Sequence, residues 1–262
     1  RPKKYMSLLF EIKENIGVIM LNRPEKFNSV IRELALAVQD RLDECNSNDE
    51  VRAVYITGTG RAFCAGQDLA EVVDPNGPEL GEIVSQHFNP IITRIRSLKK
   101  PVVAAVNGVA AGAGANIALA CDIVVATESA SFIQAFSKIG LIPDSAGTYF
   151  LPRLIGLQKA SALIMLGDKV TAAEAERMNM IYKVFPDDEF ATASWAVAKQ
   201  LAAMPTLALA LSKQALNESY HNTLPQQLQL EDSLQRKAGD SYDYNEGVKA
   251  FLEKRKPEFK GR

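Results

Sequence analysis

The chain has 262 residues, 47% hydrophobic and 23% charged, with a formal net charge of −1. This bounds it to one large domain, or a domain with a small appendage, and argues against a nucleic-acid or bulk membrane surface. Cys45, Cys64 and Cys121 are far apart with no CxxC spacing, and the only histidines are His87 and His221, which argues against a disulfide framework, structural zinc, a histidine-based metal site and a Ser-His triad.

No apolar run approaches a membrane span, and Arg1-Pro2-Lys3-Lys4-Tyr5 lacks an apolar signal core. A reducing, cytoplasmic setting is therefore expected. Leu8–Ile12 and Gly17–Leu21 are β-type runs joined by a hairpin turn at Glu14-Asn15-Ile16-Gly17. From Asn28 to Asn46, Ile31, Leu34, Ala35, Val38 and Leu42 recur at helical spacing. Val54–Thr57 is a buried strand, Arg61–Asp68 a loop at its C-terminal side, and Asp74–Pro78 a surface loop. Ile83–Leu98 is helical.

Pro101 opens the stretch around which the chain is organised. Val102–Val106 is a buried strand, Asn107-Gly108 a turn, Ala113–Cys121 a short helix and Asp122–Ala126 another buried strand. Between turn and helix runs Ala110-Ala111-Gly112-Ala113-Gly114-Ala115. Such small residues let a ligand lie against the backbone, and a helix start has free N–H groups that favour negative charge. Such donors can hold an oxygen as charge develops on it. Packing of strand on helix would demand the same small residues. Further on, Asp144 follows Pro143 among apolar residues. It reads either as a reactive carboxyl or as a helix N-cap. Later segments are helical, with Thr171 to Glu174 a capping box, Ile181–Phe185 a short strand, and helices over Phe190–Ala203, Thr206–Ser219, Leu224–Lys237 and Tyr244–Lys256. Strand–helix–strand order makes the fold α/β with parallel pairing.

Several motifs together resemble the crotonase superfamily of enoyl-CoA hydratases and isomerases. They are Arg23-Pro24-Glu25-Lys26-Phe27-Asn28-Ser29, Phe63-Cys64-Ala65-Gly66-Gln67-Asp68-Leu69, Asn107-Gly108-Val109-Ala110-Ala111-Gly112 and Cys121-Asp122. The resemblance implies a spiral of ββα units over 1–187 and a helical oligomerisation region over 188–262. Gly140–Ser145 and Asp243–Val248, with Ala250-Phe251-Leu252 and Lys254-Arg255, are similar to the epoxyphenylacetyl-CoA isomerases of phenylacetate catabolism. The alternative is a Δ3,Δ2-enoyl-CoA isomerase or a hydratase-like protein of fatty-acid oxidation.

The resemblance also assigns residues. It places the N–H groups of Ala65 and Ala113 around a thioester oxygen and makes Asp144 the proton carrier. Hydratases carry two glutamates where this chain has Asn116 and Phe136, and water addition needs such paired groups. Lys26, Phe27, Gln67, Asp68, Phe251 and Lys254 fall at positions beside CoA, the last two sometimes from a neighbouring subunit. Asp68 also reads as a brace for its loop. His87 reads as surface or packing rather than pocket, and Cys64 and Cys121 as inert. CoA enters as part of the substrate, so neither metal nor redox cofactor is implied. The partners implied are a homotrimer or a dimer of trimers, with a related hydratase of the same pathway.

Overall fold

The computed structural model describes residues 6–262; the stretch Arg1–Tyr5 discussed above lies outside them. Ten strands make two sheets among the described residues. β1 (Leu8–Lys13) and β2 (Ile16–Leu21) form an antiparallel hairpin. Its turn is only Glu14 and Asn15, at φ 52° and 62°, the two left-handed residues that a tight hairpin requires. Ile16 and Gly17 thus belong to the strand.

β3 (Ala53–Gly58), β5 (Val102–Val106), β7 (Ile123–Thr127) and β10 (Lys183–Phe185) extend this sheet in parallel, in the order β1-β2-β3-β5-β7-β10. β5 is buried at every position, which explains its unbroken Val-Val-Ala-Ala-Val run. A second sheet has the order β4-β6-β8-β9, from Ala62–Cys64, Val109–Ala111, Ser131–Ile133 and Lys169–Thr171. The expected loop at Arg61–Asp68 therefore contains a strand. These strands are three residues each, too short for a period-2 pattern to register. The pairs β3–β4, β5–β6 and β7–β8 each put one strand in each sheet. Their repetition with intervening helices is the ββα spiral.

The first long helix runs Arg32–Ser47, starting later than expected. Asn28 is fully buried and at φ 56°, so it cannot open that helix. Its amide donates to the carbonyls of Thr59 (2.9 Å) and Ala62 (2.8 Å) and accepts from the Arg23 N–H (2.8 Å). It is the knot between the first loop and the loop after β3.

The main core fills one side of the large sheet, beneath helices Arg32–Ser47, Asn89–Ser97 and Ala113–Ala120. On the other side, Phe190, Ala198 and Ala202 of helix Phe190–Ala202 cover Ile16, Val18, Tyr55, Val103 and Val125. The Tyr55 hydroxyl meets the Ser194 hydroxyl at 2.8 Å. The apolar residues of this helix, expected to serve assembly, thus close the chain's own sheet. In helix Thr206–Glu218, Lys213 is buried and bonds the Asp122 carboxylate at 2.8 Å and the Ile95 carbonyl at 2.6 Å. The same Asp122 oxygen accepts from the Val102 N–H at 2.8 Å. A buried lysine without such partners would be prohibitively costly.

Candidate active site

Three segments meet where β4 ends. The first is the turn after β4, Ala65-Gly66-Gln67. Gly66 lies at φ 88°, and a Cβ there would stand 3.0 Å from the Ala111 carbonyl and 3.3 Å from the Ala113 nitrogen. The second is the start of helix Ala113–Ala120. A Cβ on Gly114 would fall 2.2 Å from the Cys64 carbonyl oxygen, so β4 rests directly on this helix end. Packing and donor presentation, weighed separately in the sequence, are here served by the same residues. Gly112, at φ 54°, precedes the helix, and its N–H is used on Ile133. Ala113 is the first helical residue, and its N–H has no acceptor among the described residues.

The expected Ala65 donor is corrected. Its N–H is already bonded to the Phe27 carbonyl at 3.0 Å. The free N–H of this turn is two residues on, at Gln67. Val30 pairs with Gln67 as an isolated parallel bridge, through Val30 N–H to Gly66 and Asp68 N–H to Val30. In that pattern the N–H and carbonyl of Gln67 itself point away from Val30. No described residue accepts from the Gln67 N–H. The signal that could have found it is that alternation, legible only once the bridge is known.

The third segment carries Asp144. Helix Gly147–Ile155 has Ala146 as its N-cap residue and no side-chain cap. The N-cap reading of Asp144 is therefore overturned. Its carboxylate accepts from the Ser145 hydroxyl at 2.9 Å. Burial raises its pKa above the ordinary aspartate value, the Ser145 hydrogen bond opposing this. Ser145 and Ala146 stand at φ 51° and 62°, a left-handed pair without glycine that turns the carboxyl off the helix end. Asn116, one turn along the helix from Ala113, donates to the Asp144 carbonyl at 2.9 Å. The Phe136 ring is buried and lies beside Gly112, with its tip 3.8 Å from where a Cβ would be. The wall where a second carboxylate would be needed for hydration is thus apolar.

The remaining assigned residues divide. Lys26 and Phe27 are exposed, and the Arg61 guanidinium sits 4.5 Å from the centre of the Phe27 ring. Asp68 braces its loop: one carboxylate oxygen pairs with Arg23 at 2.9 Å and the other caps the Ala70 N–H at 3.0 Å. The Gln67 side chain donates to Glu71 at 2.8 Å. Phe251 is 83% exposed, and no described contact joins it or Lys254 to the three segments. Their helix, Tyr242–Leu252, is anchored at its start, where Asp243 accepts from the N–H groups of Lys260 and Gly261. Arg52, ahead of β3, holds the Phe259 carbonyl at 2.8 Å, so that anchor lies at the opposite end of β3 from the site. His87 is fully buried, 3.4 Å from Arg32 through Nε2, and burial lowers its pKa; it packs rather than facing solvent. Burial pushes the Cys64 thiol up to about 11 and Cys121 to about 12, which makes both poor nucleophiles. A cavity of about 840 Å³ lies to one side, lined by Ile92, Leu207 and Lys213 and reaching the third segment at Ala146, Tyr149 and Phe150.

Two sheets wound in ββα repeats, free N–H groups where a turn meets a helix start, and a half-buried carboxyl on a turn held by Asn116 of that helix define a thioester-handling fold of the crotonase type. The chain belongs to the enoyl-CoA hydratase/isomerase family, whose model matches residues 11–262. It is 46% identical to the 1,2-epoxyphenylacetyl-CoA isomerase of Escherichia coli (strain K12), over 97% of this chain and 98% of that protein. It is 44% identical to a Rhodobacter capsulatus protein named "Probable enoyl-CoA hydratase", over 98% and 99% of the two chains. The crystal structure of an enoyl-CoA hydratase from Polaromonas sp. JS666 superposes with a TM-score of 0.89 at 35% identity, covering 96% of this chain and 99% of that one. The chain is therefore an acyl-CoA enzyme.

Proposed function

We propose that the protein is an acyl-CoA isomerase that rearranges 2-(1,2-epoxy-1,2-dihydrophenyl)acetyl-CoA to its oxepin isomer. The thioester oxygen sits between the N–H groups of Gln67 and Ala113. Two such donors stabilise the enolate that forms when the carbon beside the carbonyl loses a proton, and one donor of this type is worth roughly 3–4 kcal/mol in other enzymes. Asp144 takes that proton and returns it. The enolate assists opening of the ring epoxide, and the rearrangement conserves every atom. Lys26, the Phe27 ring and, from a neighbouring subunit, Phe251 and Lys254 hold CoA. No metal or redox group is needed for these steps.

The observation that carries this reading is the Asp144 carboxyl: half-buried, bonded to Ser145, its pKa raised by desolvation, and not engaged in capping the helix that follows it. A general base is best when its pKa is tuned toward the working pH, and burial moves an aspartate that way. The buried phenyl ring of Phe136 in place of a second carboxylate favours isomerisation over hydration. The 46% identity to an epoxide isomerase favours the ring substrate. The test is mass spectrometry and chromatography of products from epoxyphenylacetyl-CoA, 3-hexenoyl-CoA and 4-chlorobenzoyl-CoA. Turnover of the first to the oxepin, at least tenfold faster than 3-hexenoyl-CoA is isomerised, is expected. Preference for 3-hexenoyl-CoA would make the protein a Δ3,Δ2-enoyl-CoA isomerase instead.

A further inference from the structure

Asn116 is fully buried, and its amide is committed at both ends. Nδ2 donates to the Asp144 carbonyl at 2.9 Å, and Oδ1 accepts from Gln134 Nε2 at 2.7 Å. The orientation of this amide is dictated by chemistry. A backbone carbonyl can only accept, so the Asn116 atom facing Asp144 has to be the nitrogen. Its oxygen is then left facing Gln134, which has to present its own nitrogen. Gln134 is also buried, and its Oε1 has no partner. The Gln134 nitrogen is thus committed to Asn116 and fixes which way the Asn116 amide faces.

The Asp144 carbonyl accepts twice, from Asn116 and from the Gly147 N–H at 2.9 Å. Between these anchor points lie Ser145 and Ala146, both left-handed without being glycine. Such a pair persists only where its surroundings over-determine it. Gly147 completes the fit: a Cβ there would stand 2.3 Å from Asn116 Nδ2. The ordinary alternative for a Pro-Asp-Ser sequence before a helix is an aspartate N-cap with the carboxyl turned onto the helix N–H groups. In this chain the carboxyl is withheld from that role.

We propose that Asn116, oriented by Gln134, is a positioning residue for Asp144: it holds the strained turn that keeps the carboxyl aimed at the acyl site instead of the helix end. The inference rests on Asp144 being the proton carrier. It makes Asn116 act through Asp144 alone, which a double-mutant cycle reads directly.

The measurements are kcat, KM and the rate of proton–deuterium exchange beside the thioester, for the wild type, Asn116→Ala, Asp144→Asn and the double variant. Gln134→Leu is included because it disorients the Asn116 amide without opening a large void. Circular dichroism and thermal melting establish that each is folded. Asn116→Ala is expected to lower kcat and exchange roughly 10–100-fold, the penalty of misplacing a reacting group by about an ångström, with KM within about threefold. Gln134→Leu should lower kcat in the same direction by a smaller factor. In the Asp144→Asn background, Asn116→Ala should change the rate by less than about twofold, because the group it positions is gone. If Asn116→Ala and Gln134→Leu are both folded and fully active, the proposal is overturned. If the loss from Asn116→Ala is the same in both backgrounds, Asn116 supports the fold and not Asp144, which also overturns it. Should Asp144→Asn retain wild-type activity, it is the proton-carrier reading that fails, an outcome distinct from either.

Discussion

At the residue scale, reactivity turns on the environment of one carboxyl. Burial raises the Asp144 pKa above its unfolded value, so the folded state favours the protonated form. Between roughly pH 4, the ordinary aspartate range, and the raised folded value, the folded state binds more protons than the unfolded one. Stability contributed at this position therefore falls as pH rises through that window and stays reduced above it. Asp144→Asn removes the charge, so at neutral pH the variant should melt at or above the wild-type temperature, and the difference should close below about pH 4. Melting curves at the two pH values check this. The catalytic limb has the complementary sign: kcat should fall as pH drops, with a midpoint above the usual aspartate range, because only the carboxylate can take a proton. A second prediction concerns Asn116 and Phe136. Acid–base groups each contribute roughly 10²–10⁴-fold, so crotonyl-CoA hydration should be far slower than the best isomerisation. A hydration rate equal to isomerisation, read from loss of enoyl absorbance, would refute that reading of Phe136.

At the element scale, the loops are held by buried polar side chains more than by regular structure. Asn28 satisfies three backbone groups from Arg23, Thr59 and Ala62 while standing in the left-handed region. Removing it leaves buried groups unpaired, each worth about 1–3 kcal/mol. Asn28→Ala should therefore lose roughly 2–4 kcal/mol in urea unfolding, whereas loss of under about 0.5 kcal/mol would show the knot to be dispensable. The sequence made the large sheet visible because Val102–Val106 and Val54–Thr57 are long apolar runs between clear punctuation. It concealed the second sheet because Ala62–Cys64 and Val109–Ala111 are three residues each, too short for an alternating pattern to register. The site was legible as a place, through the glycines and alanines after β6 and through Asp144, but not in its wiring. Which N–H is free depends on a long-range pairing, Ala65 to Phe27 and Val30 to Gln67, that no local pattern encodes. Likewise, the bond from Asn116 to the Asp144 carbonyl spans 28 positions, so the same residue read only as a missing glutamate.

At the scale of the whole molecule, helix Phe190–Ala202 is absorbed by the sheet, yet the chain still exposes apolar side chains. Ile139, Leu141 and Ile142 lie beside the Asp144 turn, with Leu157, Met165 and Leu166 on the next helix and Phe251 and Leu252 at the last. Exposed apolar residues at this density mark association surfaces. Assembly as a trimer, or two trimers, is expected, with Phe251 and Lys254 reaching the CoA of a neighbour. Light scattering at micromolar concentration should give at least three times the 28.6 kDa chain mass; a monomer alone would contradict the assembly. Phe251→Ala should then raise KM several-fold with kcat little changed, because on this proposal it would meet CoA and not the reacting carbons.

The role of Asp144 as proton carrier is read most directly by proton–deuterium exchange at the carbon beside the thioester, followed in D₂O for wild type and Asp144→Asn with a bound acyl-CoA. With the donors at Gln67 and Ala113 untouched, affinity should stay within about threefold, while exchange and turnover fall together by roughly 10²–10⁴-fold. Exchange within about threefold of wild type in the folded variant would mean that another group carries the proton.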